Sequence, residues 1–151
     1  MCDSGCDVDL TIAATVAVDG WDVVEVGVRR RQPRWAYTVG LCRTGQPELV
    51  MSGLEPGVAA GLLWLLAEQV AEGKPISDGD RVEFGDWTFL AFPVVRPGRL
   101  HRAEQYHRHT RSPVPFCALQ LVYPDRRGVW PWELGCALTA DDQPIAGLVA
   151  A

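Results

Sequence analysis

The chain has 151 residues, of which 48% are hydrophobic and 22% charged, which excludes a disordered chain and predicts a single globular domain spanning residues 1–151. Its formal net charge of −5 argues against bulk nucleic-acid binding. The longest apolar-rich run, residues 58–70, is too short to span a bilayer and contains Glu68, so we expect no membrane contact. Acidic residues stand near the N-terminus where a secretory signal carries basic ones, which predicts a cytoplasmic protein.

The first third of the chain predicts one helix followed by three strands. Residues 7–19 fit both a helical face and strand alternation, and Gly20 behind them favours the helix. The segment "WDVVEVGV" is rich in valine and predicts a strand, and "WAYTVGL" and "ELVMSG" predict a second and a third strand. The turn "RRRQPR" between the first two contains Pro33, which cannot continue a hydrogen-bonded ladder. Short connections between the three strands favour an antiparallel meander.

The clearest helical pattern lies between residues 56 and 72. Apolar residues recur there at helical spacing, with Pro56 in the first turn and Gly73 just beyond the end. Further strands are predicted in "DRVEF", "WTFLAFPVV" and "FCALQLV". We therefore expect an α+β fold, an antiparallel or mixed β-sheet with one long amphipathic helix, about residues 56–72, packed on one face.

A polar connection of unusual length, residues 96–115, joins the last two of these strands. We expect a short helix near residues 102–107 within it, and long connections of this kind are often functional. Most arginines lie either in this connection or in residues 29–34. A solvated surface explains them most simply, and bidentate binding of phosphate or carboxylate groups is the alternative.

Two sets of side chains carry the residue types of a metal site. Cys2 and Cys6 lie near the start, and the long connection holds His101, His107 and His109. A zinc site needs about four ligands, and neither set reaches that count in one local motif. We therefore predict no metal and no other cofactor, with solvated histidines and reduced thiols. Cys42 and Cys117 are predicted to be buried free thiols that behave as small hydrophobic residues.

The motifs of catalysis are weak. The chain has no GxSxG elbow and no glycine-rich phosphate loop. The alternative to a binding protein is a small enzyme or cofactor-binding protein that uses the His101–His109 region, with His107 beside Tyr106 and Asp125, or that holds a flavin near Arg34, Trp35 and Tyr37. Glu48, Asp125 and Glu133 lie near strand ends, where acids usually accept hydrogen bonds from backbone donors.

Several motifs resemble a known family. "GW" at Gly20–Trp21, "WAYTVGL", "PELVMSGL" and "ALQLVYPD" followed by "PWE" resemble the bacterial domain-of-unknown-function family 4262, in that family's order and over nearly the whole chain. This resemblance implies a shared fold rather than an activity. Members of the family have a pair of cysteines near the start, and here Cys2 and Cys6 are separated by three residues instead of two.

A second resemblance concerns the order of "YTVGL", "PEL", "LLWLLAEQVAEGK", "DGDRV", "FLAF" and "FCALQLV", which is similar to that of suppressor-of-fused-like domains. In eukaryotes that family grips a peptide of a partner protein, and its bacterial relatives are often regarded as immunity proteins that bind toxins. The resemblance implies a binding module.

Aromatic residues beside turns complete the prediction. Trp35, Trp130 and Trp132 flank turns, and Trp and Arg dominate protein–protein hot spots. For "VWPWE", closure of the core and contact with a partner are equally open. We predict a non-enzymatic protein-binding module, immunity- or adaptor-like, whose partner is a protein or peptide and neither nucleic acid nor membrane; its oligomeric state is open. The predicted binding residues are Trp35, Tyr37, Arg102, Tyr106, His107, Asp125, Trp130 and Trp132.

Overall fold

The structure is a computed structural model that describes residues 8–27, 34–55 and 57–146. Its strands are β1 (Asp22–Val26), β2 (Trp35–Val39), β3 (Glu48–Ser52), β4 (Arg81–Phe84), β5 (Trp87–Pro93) and β6 (Ala118–Val122). Its helices are α1 (Leu10–Asp19), α2 (Val58–Ala71) and α3 (His101–Thr110), with short 3-10 turns at Leu41–Thr44 and Pro97–Arg99. The predicted turn residues 29–33, Pro56, Cys2 and Cys6 lie outside the described residues.

The strands form one mixed sheet in the order β1–β2–β3–β6–β5–β4. The antiparallel meander of β1, β2 and β3 is confirmed. β3 pairs with β6 in parallel, and β5 pairs antiparallel with both β6 and β4. Because a parallel pair cannot be joined by a tight hairpin, the chain between β3 and β6 has room for α2, β4, β5 and α3.

The first helix is confirmed, and its ends explain why the helix forms instead of a strand. The Asp9 side chain caps the start of α1 by accepting hydrogen bonds from the N–H groups of Thr11 and Ile12. Gly20 ends the helix in the left-handed conformation, with φ of 95°.

The long helix is also confirmed, and helices cover both faces of the sheet. α2 buries Leu63, Leu66 and Ala67 in one hydrophobic cluster with side chains from β2, β3, β5 and β6. On the opposite face, α1 and α3 contribute to a second cluster that includes Tyr37, Val39 and Val50. We call this second side the α3 face. The connection 96–115 contains a ten-residue helix, longer than the one predicted near 102–107.

Two details of the predicted strands are wrong. The strand expected over residues 35–41 ends at Val39, because Gly40 takes φ of 110° and a 3-10 turn begins at Leu41. Cys42 lies in that turn and is buried as predicted, whereas Cys117 is exposed. The reason is that the chain joins the sheet only at Ala118, so that Cys117 precedes the strand that was expected to bury it. Among the described residues, no helix is long and apolar enough to cross a membrane.

Gly53→Ala tests how closely residues 139–146 pack against the end of β3. Gly53 has φ of +81°, and a Cβ atom there would overlap the backbone carbonyl of Asp142. The matched control is Gly128→Ala, because Gly128 has φ of +82° and open space around its Cα. We expect Gly53→Ala to lower the free energy of unfolding by about 1–3 kcal/mol more than Gly128→Ala in urea titrations. Equal losses would contradict the close packing.

Candidate binding site

A cleft of about 600 Å³ opens on the α3 face of the sheet. This volume lies within the range of roughly 300–1,000 Å³ that is typical of ligand sites. Apolar side chains from three adjacent strands and from the end of β5 form much of its lining, namely Val26, Trp35, Val50 and Val94. Its other described lining residues are Tyr37, Val95, Arg96, Arg99, Leu100, His101, Ile145 and Ala146.

Tyr37 joins the sheet to the start of α3. Its side chain is 3% exposed, and its hydroxyl oxygen accepts a hydrogen bond from the Arg102 N–H at 3.2 Å. The first N–H groups of a helix have no partner within the helix, and Leu100 at the N-cap offers no side-chain acceptor. Tyr37 therefore takes the place of a local cap. Burial raises the pKa of Tyr37, so that its hydroxyl keeps its hydrogen at neutral pH.

The rim of the cleft is basic. Arg96, Arg99 and His101 are exposed and belong to its lining, and the exposed Arg102 follows them at the start of α3. None of the three arginines forms an ion pair with a described residue. The described lining contains no acidic residue. The three arginines therefore present a positive potential to whatever enters the cleft.

Tyr106 and His107 lie in α3 but are not among the described lining residues. Tyr106 is buried in the cluster on the α3 face. The His107 ring packs 5.4 Å from that of Phe116, and its buried Nδ1 has no hydrogen-bond partner among the described residues. Tyr106 therefore packs α3, the helix whose start carries the basic rim, against the sheet. His107 packs against Phe116.

Asp125 orders the loop that follows β6. Its buried carboxylate accepts hydrogen bonds from the N–H groups of Ala137, Val129 and Arg127 at 2.8, 2.9 and 2.9 Å. These bonds, the one from Ala137 foremost, lower its pKa to about 2. None of its hydrogen bonds involves Tyr106 or His107, so the structure does not bring the predicted acid–base trio together.

The loop ordered by Asp125 presents Trp130 and Trp132, which we call the tryptophan ledge. Their rings stack 5.2 Å apart, and Trp132 also meets Phe92 of β5 edge-on at 5.4 Å. Trp132 is 38% exposed, so its side chain is partly packed against the protein and partly accessible to solvent. Phe92 lies two residues before Val94 in extended chain, and both side chains therefore point to the α3 face. The ledge and the cleft thus share one side of the sheet.

Sequence reasoning missed the wall formed by Ile145 and Ala146. Gln120, buried in β6, holds this segment, because its Oε1 accepts from the Ala146 N–H at 2.7 Å and its Nε2 donates to the Pro144 carbonyl at 2.8 Å. The Ser52 hydroxyl donates to the same carbonyl at 2.6 Å. A polar residue inside the otherwise apolar "ALQLV" was the signal available, since buried amides require partners.

Glu48 is the most deeply buried carboxyl group among the described residues, with 1% exposure. It accepts hydrogen bonds from the Gly40 and Leu41 N–H groups and from the Thr38 hydroxyl, at 2.9, 3.0 and 2.9 Å. Burial raises its pKa to about 7, while these donors oppose the shift. Glu48 thus holds the turn after β2, which is the backbone-binding role that the sequence favoured for acids at strand ends.

The structure also shows where the residues considered for a metal or a flavin lie. No group of three or more His, Cys, Asp and Glu side chains suited to a metal occurs in the described part of the chain. Arg34, considered for a flavin phosphate, pairs with Glu55 at 3.4 Å. Trp35 and Tyr37, considered for the same flavin, both line the cleft.

Comparison with known proteins gave one match. A family model described as a domain of unknown function, DUF4262, matches residues 15–137. No curated protein and no solved structure matches the chain.

The variant Glu48→Gln tests the buried carboxyl group. The pKa of Glu48 is raised from 4.5 to about 7, so its contribution to stability is fully present below pH 4.5 and is lost as the pH rises through about 7. The wild-type free energy of unfolding minus that of Glu48→Gln should therefore fall by about 3 kcal/mol across this window. Glu68→Gln, at an exposed position, is the matched control for the loss of one carboxylate. A Glu48 difference that rose with pH would contradict the raised pKa.

Asp125→Asn tests whether one carboxylate orders the tryptophan ledge. The amide replaces an acceptor with a donor, so at least one backbone hydrogen bond is lost. We expect a lower thermal midpoint and a weaker near-ultraviolet circular dichroism signal from Trp130 and Trp132. Because the pKa is lowered from 3.8 to about 2, the stability difference from wild type should shrink as the pH falls between these values. An unchanged tryptophan signal, matching that of the exposed control Asp78→Asn, would refute this role.

Proposed function

The chain belongs to DUF4262, a family of domains of unknown function, and we propose that it is a non-enzymatic protein-binding module, immunity- or adaptor-like. The proposed setting is the bacterial cytoplasm, and the proposed partner contributes one segment of its chain to the cleft. The observation that carries the proposal is the cleft itself, about 600 Å³ with an apolar wall of strand residues and a basic rim.

Binding would combine an apolar anchor with polar orientation. An apolar side chain of the partner enters against Trp35 and the 46% exposed Val26, where burial removes its surface from water. Trp132 stands at 38% exposure on the same side of the sheet and offers a flat surface to the flanking part of the segment. Trp and Arg, the residue types that dominate hot spots, occur together here.

The composition of the cleft supports binding over catalysis. The titratable residues of the described lining are Tyr37, Arg96, Arg99 and His101. The described lining contains no Ser, Cys, Asp or Glu. Covalent catalysis by Ser or Cys needs such a nucleophile beside a base, and general acid–base pairs commonly use a carboxylate. The resemblance to suppressor-of-fused-like domains, which grip a peptide, favours the same class.

A cofactor-binding function is the second candidate, because Trp35 beside Arg96 and Arg99 also suits an aromatic ring attached to a phosphate. Native mass spectrometry of gently purified protein distinguishes the two candidates. A mass equal to the chain or a multiple of it favours the binding module, whereas an added mass with visible absorption, as a flavin would give, supports the cofactor.

The proposed function is tested by selecting peptides from a random display library against the full chain. We expect selected peptides to bind the wild type and to lose about tenfold or more in affinity to Trp132→Ala/Arg102→Ala, since truncated hot spots cost at least that much. Fluorescence anisotropy measures the affinity, and the thermal midpoint should stay nearly unchanged because Arg102 is exposed and Trp132 partly so.

The control for that pair is Val18→Ala/Arg43→Ala, which removes an exposed apolar residue and an exposed arginine away from the cleft lining. It should bind as the wild type does. Failure to select any peptide, or equal losses in both double variants, would overturn the proposal, and loss of folding in Trp132→Ala/Arg102→Ala would return these residues to a structural role.

A further inference from the structure

The lining of the cleft combines a buried hydroxyl with the start of a helix. Tyr37 is 3% exposed, and its oxygen is occupied as an acceptor by the Arg102 N–H. Its own hydrogen is donated to no described residue. The same hydroxyl meets the positive end of α3, where unpaired N–H groups favour negative charge nearby. The cleft lining therefore includes a buried donor that an acceptor from outside would satisfy.

Two arginines of the same lining have no ion-pair partner among the described residues. Arg96, Arg99 and His101 line the cleft, and no described residue forms an ion pair with either arginine. The acidic residue in the first turn of α3, Glu104, is paired with Arg108 at 3.0 Å. Arginine guanidinium groups bind carboxylates through paired, charge-assisted hydrogen bonds. The site thus offers several donors for an anion and, among the described lining residues, no competing carboxylate.

We propose that the partner segment is acidic, with one carboxylate bound between the Tyr37 hydroxyl and the guanidinium groups of Arg96 and Arg99. This inference rests on the proposed function and specifies the chemistry of the partner. The residue beside the carboxylate is apolar or aromatic, because Trp35, Val50 and Val94 line the same cleft. The recognised element is therefore an Asp or Glu adjacent to a large apolar residue in an extended segment.

Carboxylate suits this cleft better than phosphate. A single buried phenol and planar guanidinium groups match the two oxygens of a carboxylate. A phosphate group carries up to two negative charges and three oxygens, and the apolar side of the cleft offers few donors to replace their water.

The test compares synthetic peptide pools of equal length that share a central aromatic residue and differ only in the flanking residue. The three pools carry Glu, Gln or phosphoserine at that position, and binding to the full chain is measured by fluorescence anisotropy. We expect the Glu pool to bind at least about tenfold more tightly than the Gln pool, with a smaller advantage at high salt because screening weakens charge pairing.

Variants of the lining residues test whether the preference for the Glu pool arises in the cleft. Arg96→Gln/Arg99→Gln should abolish the advantage of the Glu pool over the Gln pool. The control Arg43→Gln/Arg126→Gln removes the same charge from exposed positions outside the lining and should preserve the preference. Tyr37→Phe removes the hydroxyl and with it the acceptor of the Arg102 N–H. It should lower the affinity of the Glu pool more than that of the Gln pool, with circular dichroism verifying that the helices remain.

The outcomes separate the two proposals. Equal binding of the Glu and Gln pools would overturn the carboxylate inference while leaving peptide binding intact. Tighter binding of phosphoserine than of Glu, or an equal loss in both arginine double variants, would also overturn it. Absence of binding by any pool, together with failure of the display selection, would instead remove the proposed function.

Discussion

The hydrogen bond between the Arg102 N–H and the Tyr37 hydroxyl connects the central sheet to α3, and the cleft depends on this connection. α3 is otherwise polar, with Ala103 and Tyr106 as its buried residues, so little apolar surface holds it in place. Fixing its start over Tyr37 places Arg99, Leu100 and His101 beside strand residues. One phenol thus caps a helix and positions the basic rim above an apolar wall.

A polar seam across β3 and β6 holds the segment that contains Ile145 and Ala146, two further lining residues of the cleft. The parallel pairing of these strands places Gln120 beside Ser52, and both hold the Pro144 carbonyl. Two segments of the lining, the start of α3 and residues 144–146, are therefore attached to the sheet by buried polar side chains. Such attachments are specific because an unsatisfied buried amide or hydroxyl costs free energy. Val26, Val50 and Val94 are lining residues that the sheet side of the cleft contributes.

The sequence predicted the elements that depend on local residue patterns. The meander, the long helix and the first helix follow from β-branched runs, helical spacing and Gly20, and of the eight predicted binding residues Trp35 and Tyr37 line the cleft. Pairings distant in sequence were not predictable, such as β3 with β6 or Gln120 with Ala146. Arg96 and Arg99 lay in a stretch singled out for its charge, but only the fold places them in one cleft with Val50. Asp125 was chosen for its position, and its carboxylate organises a loop instead of facing α3.

The most direct test of the binding cleft is a nuclear magnetic resonance titration of the nitrogen-15-labelled full chain with a peptide selected from the display library. The account predicts that amide shifts concentrate at Trp35, Tyr37 and residues 99–102, with a further shift of the Trp132 indole N–H. Shifts confined to α2 or β4, on the other side or the far edge of the sheet, would show that peptides bind elsewhere and would contradict the central claim.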